Sequence, residues 1–483
     1  FGDEYMPVDH MGGFQINTTE LLSAMPTTSA ADYQNIITRL EAFPKMIQQN
    51  QELMREGLKR KLTPVKSFLA KVNGQLDALT AENIENSPLY KPFKEFPSGI
   101  SAEDQARLRA KAKEVLSQRV YPALTSFKTF LNQEYIPQAR EFIALTEMPN
   151  GKAWYAHMVK RHTTTDKTPD QLHELGLREV ERLTGEMNKI REQVKFKGDL
   201  KAFNKFLLTD KRFQFTKAED LLSGYRDIAK RTDAELPKMF HKLPRLTYGV
   251  RAIADYAAPS SSGAQYVGGS LEAGRPGWFE ANTYDLPSRP KWEMETLAFH
   301  EGVPGHHFQI AIAQEMEDMP EIRKHGHYTA FIEGWALYAE SLGDEMGFFK
   351  DPYSKYGNLS GEMMRAIRLV VDTGMHAKGW SKQQALDFYR SKMPISDTDS
   401  EVEIDRYITW PGQALAYKVG QLKFRELREK SKLALGNKFD VRDYHDEVLK
   451  HGALPMEVLE QTVDEWIAGQ KKAKARDLNG PTS

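Results

Sequence analysis

AFHEGVPGHHFQ, residues 298 to 309, is the stretch on which the reading of the chain turns. It almost spells H-E-x-x-H. In that helical motif two histidines one turn apart hold zinc, and the glutamate between them serves as base. His300 and Glu301 are in place, but the residue four after His300 is Pro304, and His306 and His307 lie beyond a Pro-Gly pair. In an unbroken helix His307 would share the face of His300 but lie about 10 Å further along the axis. Two imidazoles on one zinc need nitrogens about 2.0–2.1 Å from it, so a straight helix cannot use both. His306 would point to a different face. Pro304 lacks an amide proton and clashes with the preceding turn, while Gly305 permits unusual backbone angles. A bulge or kink is therefore predicted here. Two residues looped out would return His306 to the place of the usual second histidine. His300 and His306 are the preferred metal ligands. His307 is the alternative ligand, or a group facing ligand or substrate.

A hydrolytic zinc site needs a third protein ligand and leaves one position for water. Downstream runs TAFIEGWALYAESLGDEMG, residues 329–347, in which Glu333 sits inside an apolar helical pattern. A carboxylate there is costly unless it is paired or bound to metal, so Glu333 is the predicted third ligand. Glu340, seven positions on and on the same helical face, could orient a ligand or anchor the helix. The metal helix itself is expected to begin near Pro290, which suits a first turn.

The rest of the chain frames this motif. Its 483 residues carry 66 Lys+Arg against 67 Asp+Glu, a balance that argues against nucleic acid or an anionic membrane as the main partner. With no cysteine, thiolate catalysis, disulfides and Cys-ligated metals are excluded. No window approaches 18 apolar residues, so no membrane span is predicted. The chain begins with Phe1, as a processed form would. An exported protein (periplasmic, lipoprotein-derived or secreted) is expected, with the cytoplasm as the alternative.

Residues 1–30 read as an extended arm of Gly, Pro, Ser and Thr. Residues 31–240 read as a helical region, with apolar steps of three and four at Ile36, Ile37, Leu40 and Phe43. Helix starts are signalled at Ser101 with Asp104, and at Thr168-Pro169. From about Leu243 the texture changes. LPRLTYGVRAIAD, SSSGAQYVGGS and GWFEANTYDL read as three short strands, placing a small sheet just before the histidine motif. Residues 241–483 are expected to form the catalytic region, in one integrated fold with the helices before it. The tail GQKKAKARDLNGPTS reads as a frayed, solvated end. An edge strand beside a metal helix can hold an extended substrate by backbone pairing. On sequence order alone, Asn282 is a candidate substrate contact.

Three stretches together, FHEGVPGHHFQ, IEGWALYAE (332–340) and RYITWPGQALAYKVG (406–420), resemble the bacterial family called domain of unknown function 885. RPGWFEANTYDLPSRP and RLVVDTGMHAKGW fit the same family, and the likeness runs from about Leu172 to about Lys423. That family looks like a divergent relative of the helical gluzincins. The resemblance implies a mainly α body split by a deep channel, with a small β-sheet beside the metal helix. It implies zinc on His300, Glu333 and either His306 or His307, with Glu301 as base. By the same likeness, Tyr407, Tyr417 and His376 are candidate donors to the oxyanion, and Arg406 could hold a substrate carboxylate.

The expected function is zinc-dependent hydrolysis of short peptides, with carboxypeptidase, dipeptidase and oligopeptidase action all open. A zinc hydrolase of another amide or ester is a second reading. A non-catalytic helical peptide-binding protein with a structural or degenerate metal site is a third. Glu301 separates the last from the others, because a structural site needs no base beside its ligand.

Overall fold

In the computed structural model, which describes residues 1–255 and 258–478, the helix-start signals are used as read. A further start, not singled out in the sequence, is Ser29: its side chain accepts the Asp32 amide while the Asp32 carboxylate accepts the Ser29 amide, a capping box that opens the helix Ala30–Arg60. Its Ile36, Ile37, Leu40 and Phe43 are buried, as their spacing requires. Ser101 caps Ala102–Val115 through the Asp104 amide, and Thr168 caps Pro169–Gln193 with Pro169 at the first position.

The first 30 residues are not an extended arm. Phe14–Ala24 is helical, with Phe14, Thr18 and Leu22 on its buried face. Asn and Thr in mid-helix blur the periodicity and carry poor helix propensity. Packing supplies what propensity lacks: the Phe14 ring meets Phe43 and Phe127 edge-on at 5.7 and 4.8 Å.

The chain forms two compact units, Phe1–Trp154 and Tyr155–Ser483. The change of texture near residue 240 therefore marks a change of secondary structure and not a unit boundary. The helices between Tyr155 and residue 240 belong with the histidine motif. Pro169–Gln193 packs along Pro352–Ala377, with His173 Nδ1 2.8 Å from Thr373 Oγ1 and Arg182 2.6 Å from Glu362. Ala218–Asp233 lies against Met294–Glu301, the helix that carries His300, and against the small sheet, where Tyr225 meets Phe279 at 4.7 Å.

All three predicted strands form: β1 (Tyr248–Ala252), β2 (Ala264–Val267) and β3 (Gly277–Ala281). β3 is central. β1 pairs with it in parallel, Tyr248 opposite Gly277, and β2 antiparallel, Ala264 opposite Ala281. Phe279 and Ala281 of β3 are fully buried, as a central strand covered by helices requires. β2 is thus an edge strand. The tail is helical through Leu478, the end of Met456–Leu478, rather than frayed from Gly469; residues 479–483 lie outside the described residues. Among the described residues no helix is long and apolar enough to cross a membrane.

Candidate metal centre

The histidine motif is two helices, not one bent helix. Met294–Glu301 carries His300 at its C-terminal end, and His306–Gln314 begins with His306. Gly302 to Gly305 turn the chain between them, and the Val303–Pro304 bond is cis. Gly305 is required by close approach. A Cβ there would lie 2.1 Å from the His300 carbonyl oxygen and 2.3 Å from that of Phe299. The Pro304 carbonyl accepts the Trp335 indole N–H at 2.8 Å, which ties the turn to the glutamate helix, Thr329–Glu340. That helix is in turn set by a glycine crossing. A Cβ on Gly334 would lie 2.4 Å from Gly420 Cα, so only glycine lets Thr329–Glu340 and Ala416–Leu435 approach so closely.

These elements bring His300, His306 and Glu333 together, one ligand atom from each lying within 4.8 Å of the others. Glu333 Oε2 is 3.2 Å from His306 Nε2 and 3.7 Å from His300 Nε2. Tetrahedral ligands at zinc bond lengths of about 2.0–2.1 Å stand roughly 3.3 Å apart, so the donors fit such an ion. Glu340 Oε1 lies 2.7 Å from His300 Nδ1 and accepts a hydrogen bond from it, which turns Nε2 to the cluster. His306 Nδ1 is buried without a hydrogen-bond partner. Burial alone would lower the His300 pKa, but the Glu333 and Glu340 carboxylates outweigh it and raise it to about 9. Burial likewise opposes the charge on Glu333, and the two imidazoles overcome it and hold its pKa well below the usual carboxylate range.

His307 is placed elsewhere. Its Nε2 bonds the Leu246 carbonyl at 3.0 Å and its Nδ1 the Tyr266 hydroxyl at 2.9 Å. The ring joins the second histidine helix to the sheet, and burial pushes its pKa down to about 4. The helix restarts at His306, so one residue's difference turns His307 about 100° away from the cluster.

A cavity of about 410 Å³ opens beside the cluster, and His300, Glu301, His306 and Glu333 all line it. Of the other predicted residues, Tyr417 and Arg406 line it too. The Tyr417 hydroxyl accepts from Arg406 Nη2 at 2.7 Å, and its ring stacks 6.4 Å from His300. Tyr407 and His376 do not reach it. The Tyr407 hydroxyl is spent between Arg368 Nε and the Glu403 carboxylate, and His376 is fully buried with Nε2 on the Tyr407 carbonyl at 2.9 Å. Asn282 is not a substrate contact either. It is buried, and its Nδ2 donates to the carbonyls of Ala258, Ser261 and Ser262, closing the loop before β2. What lines the cavity from that segment is β2 with the residues before it, Ser262 to Tyr266.

Sequence reasoning missed Arg365 and Arg368, which line the cavity from Pro352–Ala377. The signal was present: two charges one turn apart in the apolar run EMMRAIRLVV, as improbable in a core as Glu333. It also missed Glu293 on the cavity wall, whose carboxyl burial pushes up to about 8.

Fold and site define a mainly helical protein with a candidate His-His-Glu metal centre. The chain belongs to the family described as bacterial protein of unknown function, DUF885, whose model matches residues 2–463. It is similar to a protein of Colwellia psychrerythraea described as a "putative lipoprotein". The two are 32% identical, with a TM-score of 0.93, over 96% of this chain and 81% of that one. A Shewanella oneidensis protein, described as a "putative lipoprotein of unknown function", shares the fold at 18% identity and a TM-score of 0.64. That match covers 90% of this chain and 81% of the other. No curated protein matches the sequence.

Proposed function

We propose that the chain is a zinc-dependent hydrolase that cleaves peptide bonds in short peptides, with a gluzincin-like site on His300, His306 and Glu333. The observation that carries this reading is the convergence of those three donors, with Glu301 beside them, on the wall of one cavity. Structural zinc sites are closed by four protein ligands, whereas hydrolytic sites use three and keep a place for water. Two imidazole nitrogens and one carboxylate oxygen facing a cavity match the second kind.

Zinc bound there would supply a Lewis acid and a water acidified to a pKa of about 7. Glu301, adjacent to a ligand and on the cavity wall, takes the proton of the attacking water and returns it to the leaving amine. Tyr417 accepts its hydrogen bond from Arg406 and keeps its own proton to donate to the oxyanion. β2, an edge strand along the cavity, offers backbone to an extended peptide. The description of both structural relatives as lipoproteins supports export of this chain as well.

The test is metal analysis of the purified protein, then digestion of a peptide library with and without chelator. Zinc at one equivalent and chelator-sensitive cleavage are expected. Glu301→Gln should keep the metal and lose turnover by about 10²–10⁴-fold. No zinc and no cleavage would favour a peptide-binding protein, and retained turnover in Glu301→Gln would remove Glu301 as the base.

A further inference from the structure

We propose that Arg365 and Arg368, together with Arg406, form a carboxylate-binding subsite that holds the free C-terminus of the peptide. The enzyme would then act on short peptides from their C-terminal end. This rests on the peptidase reading and narrows its substrate class.

The three guanidinium groups gather around one ring. Their Cζ atoms lie 5.8, 4.4 and 5.8 Å from the centroid of Tyr417 for Arg365, Arg368 and Arg406. All three residues line the cavity, and Arg365 and Arg368 are 9% and 3% exposed. Their counter-charge falls short. Glu403 takes Arg368 Nη2 at 2.8 Å and stands 3.7 Å from Arg406 Nη1, so two cations share it. Glu340 is 3.7 Å from Arg365 Nη2, but its close partner is His300 Nδ1 at 2.7 Å. Of the acids beside them, Asp399 is turned to Arg289, Glu333 is turned to the two histidines, and burial raises the Glu293 pKa to about 8.

Arg365 Nε, Arg368 Nη1 and Arg406 Nε are all buried without a hydrogen-bond partner. A buried charged donor left unpaired is expensive. The three residues that carry them line one cavity, so an anion bound there would meet guanidinium groups whose pairing within the chain is incomplete. Guanidinium forks match the planar geometry of a carboxylate.

Position supplies the rest. The Tyr417 ring is 6.4 Å from the His300 ring, and Arg368 Cζ lies 4.4 Å from Tyr417. An extended residue advances about 3.3–3.6 Å. The subsite is therefore no more than about three residues from the metal cluster, and the fragment released from the C-terminal end is of that length or shorter.

The experiment measures binding in metal-depleted protein, so it reads the subsite whether or not zinc and turnover exist. The probes, followed by calorimetry, are an alanine tetrapeptide with a free C-terminus, its C-terminal amide, and an amidated tetrapeptide carrying one glutamate. Wild type should bind the free acid at least about tenfold more tightly than the amide. Arg365→Gln and Arg368→Gln should each bring that ratio towards one. Arg368 is bonded to buried Glu403, so if Arg368→Gln does not fold, Arg365→Gln and the wild-type ratio still decide. Equal affinity of wild type for acid and amide would overturn the proposal, as would a ratio unchanged in Arg365→Gln. Binding of the glutamate amide as tightly as the free acid would overturn the C-terminal assignment in favour of acidic side chains. A negative result here with chelator-sensitive cleavage intact would leave the peptidase reading standing.

Discussion

Gly305→Ala should dismantle the candidate metal centre from a residue that bears no functional group. The added Cβ would sit 2.1 Å from the His300 carbonyl oxygen and 2.3 Å from that of Phe299. An ordinary carbon–oxygen contact is about 3.3 Å, so the turn must move away by roughly 1.2 Å. The obstructing atoms are backbone and cannot rotate aside. His306 is the next residue, and a metal site tolerates errors of only about 0.2 Å. A displacement several times larger should lower zinc affinity by at least about a hundredfold, comparable with the loss of supporting contacts around a ligand. Overpacking of this kind also costs about 1–3 kcal/mol of stability. Zinc affinity would be measured by competition with a chromogenic chelator, and stability by denaturant unfolding at constant slope. Gly469→Ala is the control, since a Cβ there meets nothing within 4 Å. If Gly305→Ala binds zinc as tightly as wild type and unfolds at the same midpoint, the close approach does not set the geometry, and the reasoning from it fails.

Glu340→Gln removes the charge that holds His300 Nδ1 at 2.7 Å, and should weaken metal affinity by about 10–100-fold while the fold survives; unchanged affinity in the chelator competition would refute this. Glu293 has its pKa raised by burial from 4.5 to about 8, so the native state binds the extra proton between those values and stability falls as pH rises through that window. Glu293→Gln should accordingly match wild type in thermal midpoint near pH 4.5 and exceed it near pH 8.5; parallel pH profiles would show that Glu293 does not titrate there.

Much of the site was legible because it rests on rules that act over a few residues. Pro304 and Gly305 announce a break in the helix, and Ser101 with Asp104 and Thr168 with Pro169 announce starts. The preference for His306 over His307 was legible from the looped-out pair, but its physical basis was not. It depends on the residue at which the second helix resumes, and that is fixed by packing of the turn against the end of the first helix and by the Trp335 bond to Pro304. Tyr407 and Tyr417 show the same limit. Both are phenols in one motif, but Arg368 and Glu403 consume the first hydroxyl while the second reaches the cavity. Sequence order carried Asn282 to the cleft because it follows β3, yet its amide is committed to the three carbonyls of the loop before β2.

The arginines point to a correction in how such sequences are read. Glu333 was singled out because a charge in an apolar helical run must have a partner, and the cluster with His300 and His306 supplies it. The same premise applies to Arg365 and Arg368, which sit between Met364 and Leu369 in a run at least as apolar. What differs is how the debt of burial is met. Glu333 finds its partners, His300 and His306, within the chain, whereas the three arginines share Glu403 and a distant Glu340, and each leaves one nitrogen unpaired. Buried charges that are fully paired internally account for a fold, while a cluster whose pairing is incomplete and which faces a cavity calls for a ligand of the opposite sign. By that criterion the arginines of Pro352–Ala377 are where an anionic group of the proposed peptide substrate would bind.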